Sequence, residues 1–133
     1  MHDMVSAVRA AGASPIVRVR GPSGPLIKRA LDTGAQYAPF HFLHPSAHLV
    51  LSGLLVPMVN TADEARSVVA SAKFPPLGIR GQGSAFPCFE LGLKTPAEYV
   101  AAANESVLTM IQIESVAGLN NIEEICQVEG IGT

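Results

Sequence analysis

The stretch Gly53–Val59, GLLVPMV, is apolar throughout, and Thr61-Ala-Asp-Glu64 comes almost directly after it. A strand with apolar residues at every position buries both faces, as happens inside a parallel sheet covered by helices. The Thr-x-x-Glu spacing has the form of a capping box, in which a hydroxyl and a carboxylate satisfy free amides at a helix start. A buried strand running straight into a capped helix is the signature of an α/β chain rather than of a helix bundle.

The rest of the sequence repeats that alternation. Residues 3–11 read as a helix, with Asp3 as cap, Val5 and Val8 on one face and Gly12 as the stop. Pro15–Arg20, PIVRVR, is a β-branched run and reads as a strand. Ser23 is placed as an N-cap, Pro25 lies in the first turn, and Leu26, Ile27, Ala30 and Leu31 recur at helical spacing. Gly34 then ends that helix, where a positive φ costs glycine little. The helix after Thr61 buries Ala65, Val68, Val69 and Ala72 and ends before Pro75 and Pro76. GIRGQGSAF forms a short glycine-rich third unit, taken as a strand end carrying Arg80. Thr95-Pro-Ala-Glu98 is a second capping box, starting a helix to about Asn104, and Val107–Ile113 is the next strand. The tail SVAGLNNIEEICQVEG is helical, with a break near Asn120–Asn121. These are βαβ units with right-handed crossovers.

The chain has 133 residues, enough for one domain, and an apolar fraction of 48%, enough for a core. A net charge of −2 argues against a nucleic-acid surface. Two cysteines, Cys88 and Cys126, are too few for a disulfide framework and suit a reducing, cytoplasmic setting, with both thiols acting as packing residues. No apolar run approaches the ~20 residues of a membrane span, and the first residues lack a secretory apolar core. Residues 36–52 do not fit: they are rich in histidine and aromatics and far longer than the usual αβ loop of about 2–6 residues. They read as an atypical insertion within a single partial domain over 1–133. His41, His44 and His48 lie in it at helical spacing, but Pro39 and Pro45 interrupt any helix that would cluster them around a metal.

Active sites of parallel α/β folds gather at the carboxyl ends of the strands. Arg18 and Arg20 share one parity at the end of the first strand. Either could meet a carboxylate or phosphate, or simply reach solvent. Gln112 and Glu114 share parity at the end of the last strand. The carboxylate suits a hard divalent cation and the amide a substrate oxygen, the alternative being a surface strand end with an ordinary salt bridge. Arg80 in GIRGQG is an anion site or, more simply, part of a structural turn.

In order, SPIVRVR, LIKRALDTGAQ, GLLVPMVNTADEAR, KFPPLGIRGQG, EYVAAAN and MIQIE resemble the HpcH/HpaI aldolases, class II pyruvate aldolases related to the citrate lyase β-subunit. The resemblance covers about residues 3–35 and 53–131. It implies an α/β fold, a partial (β/α)8 TIM barrel of roughly half the strands. It also implies cleavage of a 2-keto-4-hydroxy acid to pyruvate and an aldehyde, with a divalent metal (Mg2+, Mn2+ or Co2+) polarising the ketone. By position, Arg18 would hold the pyruvate carboxylate, Gln112 would contact the keto acid, and Glu114 would be a metal ligand. Arg20 falls where the family has a loop residue and takes no role from it.

The family's second metal ligand, an Asp in a GPxDL motif, and its general-base His, in an acidic-x-x-His motif, have no counterpart in these 133 residues. Weak metal binding and little or no activity are therefore expected of this chain alone. GAQ and GLLVP abut in the family, so residues 36–52 resemble intron sequence read as coding. The resemblance also implies a small-molecule keto acid as partner and, for full-length members of the family, assembly as homo-oligomers. Two other readings are open: a non-catalytic half-barrel or assembly module, and a citryl-CoA lyase-like member.

Overall fold

The computed structural model describes residues 2–35, 53–90 and 93–132. The order of elements is α1 (His2–Ala10), β1 (Ile16–Arg18), α2 (Gly24–Leu31), β2 (Gly53–Val56), α3 (Ala62–Ala72), α4 (Phe86–Glu90), α5 (Pro96–Ser106), β3 (Leu108–Ile111), α6 (Val116–Asn120) and α7 (Ile122–Cys126). Among the described residues the strands form one parallel sheet in the order β1-β2-β3. The expected alternation of parallel strands with helices is what is found, as an open sheet. The insertion 36–52, with its three histidines, lies outside the described residues.

β2 is the central strand, and its register sets the whole sheet. Val17 pairs with Leu54, and Leu54 with Thr109. Leu54 and Val56 are fully buried, while Leu55 is partly so. They join Ile27, Ala30 and Leu31 of α2 and Ala65, Val68 and Ala72 of α3 in one core, closed beyond β3 by Ile125 and Val128. Fully burying a leucine or valine side chain stabilises by about 1.5–3 kcal/mol, so this layer dominates the favourable terms. A second, smaller cluster gathers Phe74, Cys88, Tyr99 and Ala103 where α5 packs.

The helix signals have mixed outcomes. Thr61 caps α3 by accepting the Glu64 amide at 3.1 Å, but the Glu64 carboxylate reaches back to the Asn60 amide instead of completing the box on Thr61. Thr95 and Glu98 form the full reciprocal box at α5. Ser23 sits at the N-cap of α2 with no side-chain hydrogen bond, so its capping role is corrected. Gly12 and Gly34 take positive φ, at 76° and 86°, as their stop positions require. Replacing Thr61 with alanine is expected to cost about 1 kcal/mol in urea unfolding, with Thr61→Ser retaining most of the cap.

Two further expectations are overturned. GIRG is not a strand: residues 78–81 are loop, folded back on the C-terminus of α3, where Ile79 and Arg80 donate their amides to the Ala70 and Lys73 carbonyls at 2.8 and 2.9 Å. The Ala70 oxygen is an orphan of the last helical turn and Lys73 is the C-cap, so the loop satisfies carbonyls that the helix leaves open. Cys126 is exposed, so only Cys88 is a packing residue.

Candidate active site at the strand ends

Parallel strands that start in register finish in register, so the residues just beyond their ends stay side by side. The pairing continues past the strands themselves: Gln112 donates its amide to the Val56 carbonyl at 2.8 Å, and Val59 donates to the Gln112 carbonyl at 3.2 Å. This carries residues 112–114 alongside residues 56–59 at the carboxyl edge of the sheet. On the other side of β2, the Val19 amide bonds the Leu55 carbonyl at 3.0 Å, carrying β1 to the same edge.

There the side chains at the ends of β1 and β3 meet across β2. Arg18 Nε donates to Gln112 Oε1 at 2.7 Å. A guanidinium can only donate, so this bond decides which end of the amide is oxygen and leaves the Gln112 NH2 group as a donor. Neither that NH2 group nor the Arg18 Nη groups bond another described residue. Glu114 Oε2 accepts the Met58 amide at 3.2 Å, and its second oxygen has no partner among the described residues. Arg18 and Glu114 are exposed and Gln112 is half-buried. Two polar side chains of one parity are thus carried on a strand end that is open rather than sealed, which removes the desolvation cost of burying them. Arg20 is exposed and joins none of these bonds.

The arrangement presents three different groups at one sheet edge: a guanidinium fork, an amide donor and a carboxylate oxygen. A planar anion fits the fork. A hard divalent cation fits the carboxylate, and one carboxylate completed by water and a chelating ligand is a normal, weak Mg2+ site. Among the described residues no group of three His, Cys, Asp or Glu gathers to hold a metal. Glu114 is therefore suited to such a cation as one ligand, not as a closed cage.

Sequence reading missed two residues here. Met58 takes a left-handed φ of 60°, which its residue type does not announce. Asn60 bonds the Met58 carbonyl, the Glu64 carboxylate, the Ser115 hydroxyl and the Asn121 side chain. Only the polar Asn-Thr pair directly after an apolar strand hints at it.

Arg80 lies elsewhere and is wholly enclosed. Its Nη2 donates to Asp32 Oδ1 at 3.1 Å and to the Tyr99 hydroxyl at 2.7 Å. Its guanidinium lies 4.6 Å from the centre of the Phe74 ring. That is the structural reading of this arginine rather than the anion-site reading. An open groove of about 500 Å3 between α1 and β1 is lined by Met4, Val8, Ile16 and Arg18. It runs along the β1 edge of the sheet among the described residues and is lined mainly by apolar side chains. No helix among the described residues is long and apolar enough to cross a membrane.

Known proteins share both this sequence and this architecture. The profile of the HpcH/HpaI aldolase/citrate lyase family matches residues 1–133. The 2-keto-3-deoxy-L-rhamnonate aldolase of Escherichia coli O157:H7 is 36% identical over 131 residues, which is 98% of this chain and 43% of that one. A HpcH/HpaI aldolase/citrate lyase family protein from Burkholderia cenocepacia J2315 superposes with a TM-score of 0.76 at 28% identity, over 98% of this chain and 46% of that one. The HpcH/HpaI aldolase from Desulfitobacterium hafniense DCB-2 gives 0.74 at 30% identity, over 98% and 44%. The chain thus spans less than half the length of these relatives, and its open three-stranded sheet corresponds to part of an α/β barrel. A match along the whole sequence, joined to the same parallel fold, establishes that the chain belongs to the HpcH/HpaI aldolase/citrate lyase family.

Proposed function

We propose that these residues form the keto-acid half of a metal-dependent aldolase site, acting on 2-keto-4-hydroxy acids to give pyruvate and an aldehyde. The observation that supports this most is the 2.7 Å hydrogen bond from Arg18 Nε to Gln112 Oε1. It ties the two strand ends together and holds the plane of the guanidinium, so the free Nη groups are organised for a carboxylate before one arrives. The Gln112 NH2 group is available to the keto oxygen of the same molecule. Glu114 would hold a divalent cation through its free oxygen, and when bound that cation supplies Lewis-acid polarisation of the ketone.

Aldol cleavage breaks the bond between C3 and C4 of the substrate. The C4 hydroxyl loses its proton to a base, and the electron pair of the broken bond moves toward C2. Negative charge then gathers on the keto oxygen. A preorganised amide donor and a nearby guanidinium stabilise that charge more than they stabilise the neutral ketone, which lowers the barrier. Arg18, Gln112 and Glu114 do not include the base. With Glu114 outside any larger group of metal-ligating side chains among the described residues, the 133-residue chain is expected to bind pyruvate and metal weakly and to turn over slowly or not at all.

The test is binding rather than turnover. Pyruvate titrated into the chain by NMR is expected to bind more tightly when Mn2+ is present. Arg18→Ala is expected to weaken pyruvate at least tenfold, as loss of a hydrogen bond to a charged group predicts. Glu114→Gln is expected to abolish the Mn2+ dependence. Pyruvate binding that ignores both substitutions would overturn the assignment.

A further inference from the structure

We propose that Asn60 is a positioning residue for Glu114, acting through the backbone of Met58. The inference rests on the reading of Glu114 as the carboxylate that takes a divalent cation. Met58 is the non-glycine residue among those described with positive φ, at 60°. An L residue with a Cβ disfavours that region, so something must hold it there. The left-handed turn sends the Met58 amide onto Glu114 Oε2 at 3.2 Å. On the other side of the same residue, Asn60 Nδ2 donates to the Met58 carbonyl at 3.1 Å.

Asn60 is itself immobilised from every direction. Its amide donates to Glu64 Oε2 at 2.7 Å, and its carbonyl accepts from Asn121 Nδ2 at 2.8 Å. Its Oδ1 accepts the hydroxyl of Ser115, which also caps α6 by accepting the Gly118 amide at 3.0 Å. One residue thus joins the end of β2 to the starts of α3, α6 and α7. Its side-chain NH2 group donates to the carbonyl on the far side of Met58 from the amide that bonds Glu114, so the two bonds bracket the left-handed residue. With Oε2 held, the carboxylate cannot spin freely, and its Oε1 is presented in a fixed direction. Groups that orient a metal ligand in this way commonly change metal affinity about 10–100-fold when removed.

The test uses the full 133-residue chain, with Mn2+ titrated in the presence of pyruvate. Asn60→Ala is expected to weaken Mn2+ about tenfold. Adding Met58→Gly to that variant is expected to recover most of the loss, because glycine takes positive φ without a lock. Lost packing alone would not be rescued by removing a second side chain. Unchanged Mn2+ affinity in Asn60→Ala overturns the proposal. If the unaltered chain shows no Mn2+ binding with pyruvate, the metal reading fails by itself. The clamp is then judged by the Met58 amide proton, which is expected to shift in both Glu114→Gln and Asn60→Ala. A resonance that moves in neither overturns it. Should Asn60→Ala unfold the chain, Asn60→Asp keeps an acceptor for Ser115, removes the donor to Met58 and sets a carboxylate against the Met58 carbonyl. It is expected to shift the same resonance, and no shift overturns the clamp.

Discussion

Replacing Arg80 with alanine is expected to destabilise the chain by about 3–5 kcal/mol in urea unfolding, a large share of a domain stability of about 5–15 kcal/mol. The side chain is 0% exposed and lies against the rings of Phe74 and Tyr99, at 4.6 and 5.7 Å from their centres. Those rings meet edge to face at 87°, so the guanidinium fills a slot that the aromatic pair cannot close without it. Removing it opens a cavity and takes away the donor to the Tyr99 hydroxyl and to Asp32. Asp32 does not become an isolated charge, because Lys28 bonds it as well and it keeps some contact with water. The cost is therefore mainly packing and one strong hydrogen bond, not an abandoned carboxylate. Arg80 Nε and Nη1 are buried without a hydrogen-bond partner among the described residues, which offsets part of what the arginine contributes. Arg80→Met, which refills the slot, should accordingly cost less than half of what alanine costs. A loss below about 1 kcal/mol in Arg80→Ala would show that the slot collapses freely and the arginine holds nothing together.

Legibility in the sequence divides along the range of the interactions. GLLVPMV, the Thr95-Pro-Ala-Glu98 box and the stop at Gly34 are local signals, and each produces the element it signals. Strand ends at 18 and 111 are shorter than the β-branched runs suggest, because ladder partners, not propensity, decide where a strand stops. The meeting of Arg18 with Gln112 spans 94 positions, yet it is legible in outline: same-end placement is a consequence of parallel strands. The GIRG loop is not, since its form depends on the carbonyls it finds at the end of α3. Ser23 fails as a cap for a similar reason, the residue type allowing a bond that the local geometry does not make. The left-handed Met58 and its lock on Asn60 depend on Ser115 and Asn121, some 60 residues away. Half of the candidate site is thus strand-end chemistry, visible in order and parity. The other half is backbone held by distant side chains.

Gly78→Ala should be nearly as damaging as the loss of Arg80, and by a connected route. A Cβ at this position would stand 2.3 Å from the Lys73 carbonyl oxygen and 2.4 Å from that of Ala70. Both are backbone atoms, so no flexible side chain can swing aside. They are also the oxygens that accept the Arg80 and Ile79 amides. Relief of the clash must push the loop off the end of α3, breaking those two bonds and withdrawing Arg80 from between Phe74 and Tyr99. A cost of about 3 kcal/mol or more is expected, at the upper end for an added methyl group. Gly21→Ala is the matched control: nothing lies within 4 Å of its added Cβ, so it should stay within about 0.5 kcal/mol of the parent or stabilise it slightly. Because the glycine acts largely by seating the arginine, the two losses overlap. The double variant Gly78→Ala/Arg80→Ala should fall short of the sum of the single costs by about 1 kcal/mol or more. Strict additivity would mean that the close approach of the loop and the burial of its arginine are independent, and that the glycine serves only the helix end.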